Sequence, residues 1–415
     1  MLDLKFIREN PNQVRQMLAN RHTAAPLDEI LRLDTERRQK VTDLEGLRRQ
    51  RKGGTKGRPA DATAAEEGRD LRVKIKNLED EVGQLDAKLQ ELLLQVPNMP
   101  HPSVPLGESD KDNKVIRTWG EMPHFDFKPK PHWELGESLG IIDFERGVKL
   151  SGTRFYVLKG LGARLQRALI AFFLDLHTKE HGYKEVYTPF MVKREVMFNS
   201  GQLPKFFDNL YRDAEEDFFF VPTAEVPVTS LHAGEILSAD QLPLNYVAYT
   251  PCFRREKMSA GKDVRGMKRG HQFDKVEMYK FTNAETSLDE LEKLTRDAED
   301  VCRHLQIPYR VVEICTGDLG FSMAKTYDIE MWAPGCEEWL EVSSCSVAGD
   351  FQGRRANIRY RPAPDAKPQF VHTLNGSGLA LPRVMISVIE NYQQADGSIR
   401  VPDVLQDFVG ASVIK

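Results

Sequence analysis

FRREKMSAGKDVRGMKRGHQFDKVE, residues Phe253 to Glu277, is a cationic loop held between two strand-like runs. Arg254 stands two residues before Glu256, and Lys257, Lys262, Arg265, Lys268 and Arg269 follow, interspersed with Gly261, Gly266 and Gly270. Tyr246–Glu256 reads as the strand entering the loop; His271–Phe281 reads as the strand leaving it and carries Phe273 and Glu277. A glycine-containing loop with so many cations suits a polyphosphate. Far downstream, TLNGSGLALPR (Thr373–Arg383) reads as a second glycine turn bearing a second arginine. Together they suggest ATP chemistry. Neither a dinucleotide fingerprint nor a Walker loop occurs, so another nucleotide fold is expected.

Outward from that hairpin the pattern is mixed. A helix fits Leu161–His181, followed by the strand-like GYKEVYTPFMV, stopped at Pro189. Phe218–Ser230 reads as strand, turn and helix start. A helix fits Ser287–Leu305, with Ser287 as N-cap and Glu290 closing a capping box. Strands are expected at Tyr309–Ile314, Thr326–Trp332, Glu338–Ser344 and Ala356–Tyr360. Consecutive hairpins without repeated βαβ units imply an α+β fold, a largely antiparallel sheet flanked by helices.

The N-terminal third is different. Leu71, Ile75, Leu78, Val82, Leu85, Leu89 and Leu92 recur at steps of 4, 3, 4, 3, 4 and 3, the seam of a coiled coil. Leu27, Ile30, Leu31, Val41, Leu44 and Leu47 repeat more loosely, broken by Asp34 and Arg37. Gly53, Gly54, Gly57 and Pro59 interrupt the two, so an antiparallel hairpin arm over about 27–95 is expected, roughly 40 Å long. Arg48, Arg49, Arg51, Lys52, Lys56 and Arg58 crowd its tip with no acid among them, which favours phosphate over a merely solvated loop. Four prolines in PNMPHPSVP end the arm. The division expected is 1–110 for the arm-bearing domain and 111–415 for a catalytic one.

Composition narrows the class. The 415 residues are 40% hydrophobic and 29% charged, as in a soluble globular protein with two domains. A net charge of −4 gives no whole-chain reason to bind a polyanion, so any nucleic-acid contact is local. Five cysteines without a CxxC pair argue against a zinc ribbon or disulfide framework; no zinc is expected. With no signal-like or membrane-length apolar stretch, the expectation is a cytoplasmic protein without membrane contact.

Several side chains carry candidate chemistry. The Arg254 guanidinium suits a two-point clamp on an α-phosphate or a carboxylate, and Arg265 and Arg269 extend the positive field outward. Glu338 and Glu341 lie in EEWLEVSSCS; Glu341 with Ser343 or Ser344 makes a hard-oxygen pair for Mg²⁺. Phe273 is either core or a stacking face for a purine. Glu277, four residues on along the same face, needs a cationic or hydroxyl partner, which a small ammonium-bearing substrate would supply. Thr223 and Glu225 sit in a turn, where capping competes with ligand binding.

GYKEVYTPFMV, FRRE…RGHQFDKVE and GSGLALPR resemble motifs 1, 2 and 3 of class II aminoacyl-tRNA synthetases, at about 161–192, 248–281 and 373–392. PTAE, SAGKDVRG, HQFDKVE, EVSSCS and TLNGSGLALPR resemble the seryl-tRNA synthetase family in particular, as do the opening MLDLKFIRENP and the close VPDVLQDFVG. That resemblance implies a homodimer joined through motif 1 and a serine–tRNA ligase using ATP and Mg²⁺. It implies Arg254 on the α-phosphate and serine carboxylate, Glu256 on the adenine edge, Phe273 and Arg383 around the adenine, and Arg269 near the γ-phosphate. Arg255, Gly270, Val342 and Ser343 would complete the ATP site, and Glu341 with Ser344 would hold the metal. Thr223, Ala224, Glu225, Glu277, Asn375 and Ser377 would line the serine pocket. The arm would cross the long variable arm of tRNA(Ser), with the acceptor end at the active site; charging of tRNA(Sec) follows only where the host has it. Arg255, Lys257 and Met258 depart from the family's frequent FRSEAGSAG wording. Two other readings fit less of the chain: an adenylating ligase that loads a carrier protein, and a non-catalytic RNA-binding scaffold.

Overall fold

In a computed structural model the described residues are 1–54, 62–257 and 265–415. They fall into two compact units, Met1–Pro97 and Asn98–Lys415. The division follows the first proline after the arm, so residues 98–110 lie with the second unit and not, as expected, with the first.

In the first unit, helix α1 (Leu27–Gly54) packs against helix α2 (Ala62–Leu93). Ile75, Leu89 and Leu92 of the α2 seam are buried and its other seam members are half-buried, whereas the residues between them face solvent almost throughout. The apparent flaws in the α1 seam have polar partners. Asp34, 1% exposed, accepts from the Arg8 guanidinium at 3.1 Å, and Arg37 pairs with Asp86 on α2. Lys40 to Glu81 and Arg48 to Glu79 continue the antiparallel ladder at 2.6 and 2.7 Å.

The second unit is built on an eight-stranded sheet. Its elements in chain order are β1 (Lys114–Trp119), α3 (Gly160–Lys179), β2 (Lys184–Glu185), β3 (Leu244–Phe253), β4 (Gln272–Thr282), α4 (Ser287–His304), β5 (Tyr309–Glu313), β6 (Lys325–Ala333), β7 (Glu338–Gly349), β8 (His372–Ala380) and α5 (Leu381–Asn391). The spatial order is β1-β5-β6-β7-β8-β4-β3-β2, antiparallel throughout except for the β2–β3 edge. Strand alternation then separates two chemistries. Val276 and Met278 of β4, Ile329 and Met331 of β6 and Val347 of β7 join Leu169 and Phe173 of α3, Leu291 and Leu294 of α4 and Met385 and Ile389 of α5 in one core. The intervening residues of these strands point to the opposite face, and those are polar.

Three local expectations fail. TLNGSGLALPR is not a turn but the last central strand, β8, running into α5. Its glycines make room: a Cβ on Gly376 would stand 2.5 Å from Leu294, and one on Gly378 would stand 2.3 Å from His177 Nε2. Helix α4 is preceded by Thr286, which makes no side-chain cap, and Ser287 is already helical. Glu290 bonds instead to Lys280 and Lys293, at 2.9 and 2.5 Å. Ala356 ends a short helix from Phe351, and left-handed Asn357 precedes a strand only at Arg359–Arg361.

Candidate active site

The polar face of the sheet floors a cavity of about 440 Å³. Register brings distant residues onto it: Glu277 pairs with Ser377, Asn375 with Ser346, and Ser344 with Asp328. Arg254 and Glu277, from one hairpin, and Arg383, far downstream, all line this one cavity. Thr223, Glu225, Glu256, Arg269, Gly270, Phe273, Glu341, Val342, Ser344, Asn375 and Ser377 join them.

At one end is a buried polar cluster. Glu277, 1% exposed, accepts from Asn375 Nδ2 at 3.1 Å and from Thr223 Oγ1 at 3.3 Å, and it forms an ion pair with Lys275. The cation expected to come from a substrate is thus already supplied within the chain. Lys275 lies two residues before Glu277 on the same face, a spacing that carried the signal unread. Thr223 both caps and binds: its hydroxyl also accepts the Glu225 N–H at 3.2 Å. Glu225 accepts from Gln352 Nε2 at 2.7 Å. Burial, and then the charge of Glu277, push the Glu225 carboxyl up to about 7. Gln352 arrives on the helix after β7, and nothing local in the sequence marks it.

At the other end the groups are cationic and aromatic. The Arg254 guanidinium lies over the Phe273 ring at 5.1 Å, and its Nε donates to the Pro222 carbonyl at 3.2 Å. Arg269 Nη1 is 3.8 Å from Glu256. Lys268, also in the lining, pairs with Glu338. Arg383 Nη1 reaches the Glu341 carboxylate at 3.1 Å and the Glu341 carbonyl at 2.7 Å. Arg254 thus lies against one face of the Phe273 ring.

A bulge decides which serine accompanies Glu341. Simple alternation would put Glu341 and Ser343 on one face. In the ladder with β6, Glu330 faces Glu341 while the next residue, Ile329, faces Ser343, so Val342 is the extra residue. The phase resets, and Glu341 and Ser344 share the cavity. Ser343 turns inward and donates to the Ser377 carbonyl at 2.6 Å. Ala224 is likewise fully buried in an apolar cluster, and Arg255 does not line the cavity, its backbone N–H going to the Asn209 carbonyl at 2.9 Å. None of these three residues is among those that line the cavity.

Asp328, which sequence reading passed over, faces Ser344 across the ladder. Burial, and then the Glu341 charge, push its carboxyl well above the usual range. Its Oδ1 is buried and has no hydrogen-bond partner among the described residues. An unpartnered carboxylate oxygen beside Glu341 and the Ser344 hydroxyl is a hard-oxygen set that fits a divalent cation such as Mg²⁺. Met258, Lys262, Lys56 and Arg58 fall outside the described residues. Of the other tip cations, Arg48 and Arg49 carry acidic partners, Glu79 and Glu45. The tip is less uniformly positive than its sequence implied. Among the described residues no helix is long and apolar enough to cross a membrane.

Comparison with known proteins agrees with this geometry. The seryl-tRNA synthetase N-terminal domain matches residues 1–100, and the class II tRNA synthetase core domain (G, H, P, S and T) matches residues 207–392. A serine–tRNA ligase of Dehalococcoides mccartyi is 64% identical over 415 residues, all of both chains, and one of Roseiflexus is 59% identical over 99% of this chain and 98% of its own. The crystal structure of seryl-tRNA synthetase from Pyrococcus horikoshii complexed with ATP superposes with a TM-score of 0.93 at 42% identity, covering 100% of this chain and 99% of that one. The chain belongs to the seryl-tRNA synthetase family.

Proposed function

We propose that this chain is an ATP-dependent serine–tRNA ligase, which joins serine to AMP with release of pyrophosphate and then passes the seryl group to the terminal adenosine of tRNA(Ser). The observation that carries the reading is the meeting of Arg254, Glu277 and Arg383 in one cavity. An α-carboxylate such as that of serine ordinarily titrates near ~3.5, so it is ionised already and needs no general base. Catalysis is then in-line positioning and neutralisation of charge on the α-phosphoryl group.

Arg254, anchored by the Pro222 carbonyl and spread over Phe273, takes the α-phosphate and the serine carboxylate. Phe273 and Arg383 flank the adenine, Glu256 and Gly270 bound its edge, and Arg269 takes the γ-phosphate. Glu225 takes the serine ammonium. Glu277, oriented by Lys275 and Asn375, takes the serine hydroxyl, with Thr223 and Ser377 closing the pocket. Glu341, Ser344 and Asp328 would hold Mg²⁺, which would supply positive charge to the phosphate oxygens. Residues 27–95 form the tRNA-reading arm, and two copies join through α3 as a homodimer.

Exchange of labelled pyrophosphate into ATP, run with each amino acid in turn, tests the reading. Serine alone should drive it, and sedimentation of the same sample should give about twice the 47.3 kDa chain mass. Exchange driven equally well by alanine would remove the proposed role of Glu277, because a site built to bond a hydroxyl rejects the analogue lacking it by ~10⁴.

A further inference from the structure

A buried polar knot beside the cavity has no part in the roles above. His132, with no exposed surface, opens a short helix, His132–Ser138. Its Nδ1 and its backbone N–H both donate to Glu390 Oε1 at 2.9 Å. The Cys336 thiol donates to the same oxygen at 3.0 Å. The backbone N–H groups of Gly335 and Cys336 take Glu390 Oε2 at 2.9 and 3.0 Å. These His, Cys and Glu donor atoms lie within 4.8 Å of one another, the spacing of a metal site. Yet the carboxylate already accepts all five of these hydrogen bonds, and the second imidazole nitrogen is committed too. The cluster is a clamp.

What it clamps is the loop limb that leads into the cavity. His132 Nε2 accepts the Met267 N–H at 3.1 Å. A backbone N–H only donates, so Nε2 carries the lone pair and Nδ1 carries the proton that Glu390 takes. Burial holds the imidazole below its ordinary pKa against the pull of Glu390, and so keeps it neutral. Burial alone would raise the Glu390 carboxyl, but its His132 and Cys336 donors hold it below its ordinary value. The fit is close on both sides of Met267. Gly266, at φ +77°, packs so tightly that a Cβ would stand 2.2 Å from His132 Nε2. Arg265 stacks on the neighbouring Trp133 ring at 5.0 Å. The next three residues, Lys268, Arg269 and Gly270, line the cavity.

We propose that His132 is a positioning residue for the nucleotide half of the reaction: oriented by Glu390, its neutral imidazole fixes the Met267 backbone and with it the Lys268–Arg269 cations that meet the phosphates of ATP. This rests on the ATP-dependent reading above. The serine end of the cavity hangs on β4, β8 and the Thr223 turn and is not reached by the clamp.

The test is serine-dependent pyrophosphate exchange with KM resolved for both substrates. His132→Asn keeps a donor for Glu390 and loses the distal acceptor; it should raise the KM for ATP about tenfold, the scale of one lost buried hydrogen bond, and leave the serine KM within about twofold. His132→Gln, which puts an amide oxygen near the Nε2 position, should restore most of the ATP KM. Gly266→Ala, at a half-buried position against the imidazole, presses on the same nitrogen and should give the same one-sided rise even if the His132 variants fold poorly. Equal rises in both KM values, or His132→Asn and Gly266→Ala both at wild-type KM, would overturn the assignment. Absence of exchange in the wild type would remove the enzymatic reading and this inference together, whereas wild-type exchange without the split removes this inference alone.

Discussion

The arm and the catalytic sheet use charge in opposite ways. On the arm, Lys40–Glu81 and Arg48–Glu79 are solvent-facing pairs laid across a narrow apolar seam. Each is of the kind that contributes little in water, so what holds the helices together is the seam. In the sheet, Lys275–Glu277 and Lys280–Glu290 are buried among neighbours that complete their hydrogen bonds. Breaking one half of such a pair costs several kcal/mol, because it strands the other charge away from water. The arm therefore tolerates change at its charges and the site does not.

The largest effect should follow from neutralising the centre of that cluster. Glu277→Gln removes the charge that balances Lys275 and turns one acceptor oxygen into a donor facing Asn375 Nδ2. Serine-dependent exchange should fall by ~10³ or more, while thermal unfolding of the variant stays cooperative. Wild-type exchange in this variant would take Glu277 out of the serine pocket.

The same contrast explains what could be read from the chain alone. The arm is local: a 4-3 repeat fixes which side of α2 is buried without reference to anything distant, and its seam residues are the ones found least exposed. The sheet hairpin from Tyr246 to Phe281 was also legible, since both strands flank one loop. Ser344 was not separable from Ser343, because a bulge at Val342 shifts the phase and no local residue announces it. Asp328 and Gln352 gain their meaning only from strands and helices that meet them across the fold. The glycines of β8 looked like a turn, and the residues that require them, Leu294 and His177, lie about 80 and 200 positions away in the chain.

A smaller effect, confined to the second step, is expected from the arm. Arg49→Glu, Arg51→Glu and Lys52→Glu together reverse three cations on exposed surface near the tip. If the arm grips phosphates, the KM for tRNA in aminoacylation should rise by ~10²-fold and its salt dependence should flatten. Pyrophosphate exchange should be untouched, since none of the three lines the cavity. Loss of both activities together would mean that the arm serves folding rather than tRNA.

The smallest effect distinguishes the two buried carboxylates of the serine end. Glu225 is the one whose pKa is pushed up to about 7, so near neutrality it is only partly ionised. A raised carboxyl pKa means that the folded chain holds the proton more tightly than the unfolded one. The ionised form therefore costs stability: that cost is absent below the ordinary glutamate range near ~4.3 and complete above the raised value. If Glu225 holds the serine ammonium, substrate binding runs the other way, because the ammonium needs the carboxylate charged. Lowering the pH from about 8 to about 6 should leave roughly a tenth of Glu225 ionised and raise the serine KM by up to about tenfold, with the KM for ATP nearly level. Glu225→Gln should show a high serine KM with that pH limb gone. A wild-type serine KM that stays flat across this range would place the ammonium elsewhere, and the remaining acid at that end, Glu277, would then have to hold both the ammonium and the hydroxyl of serine.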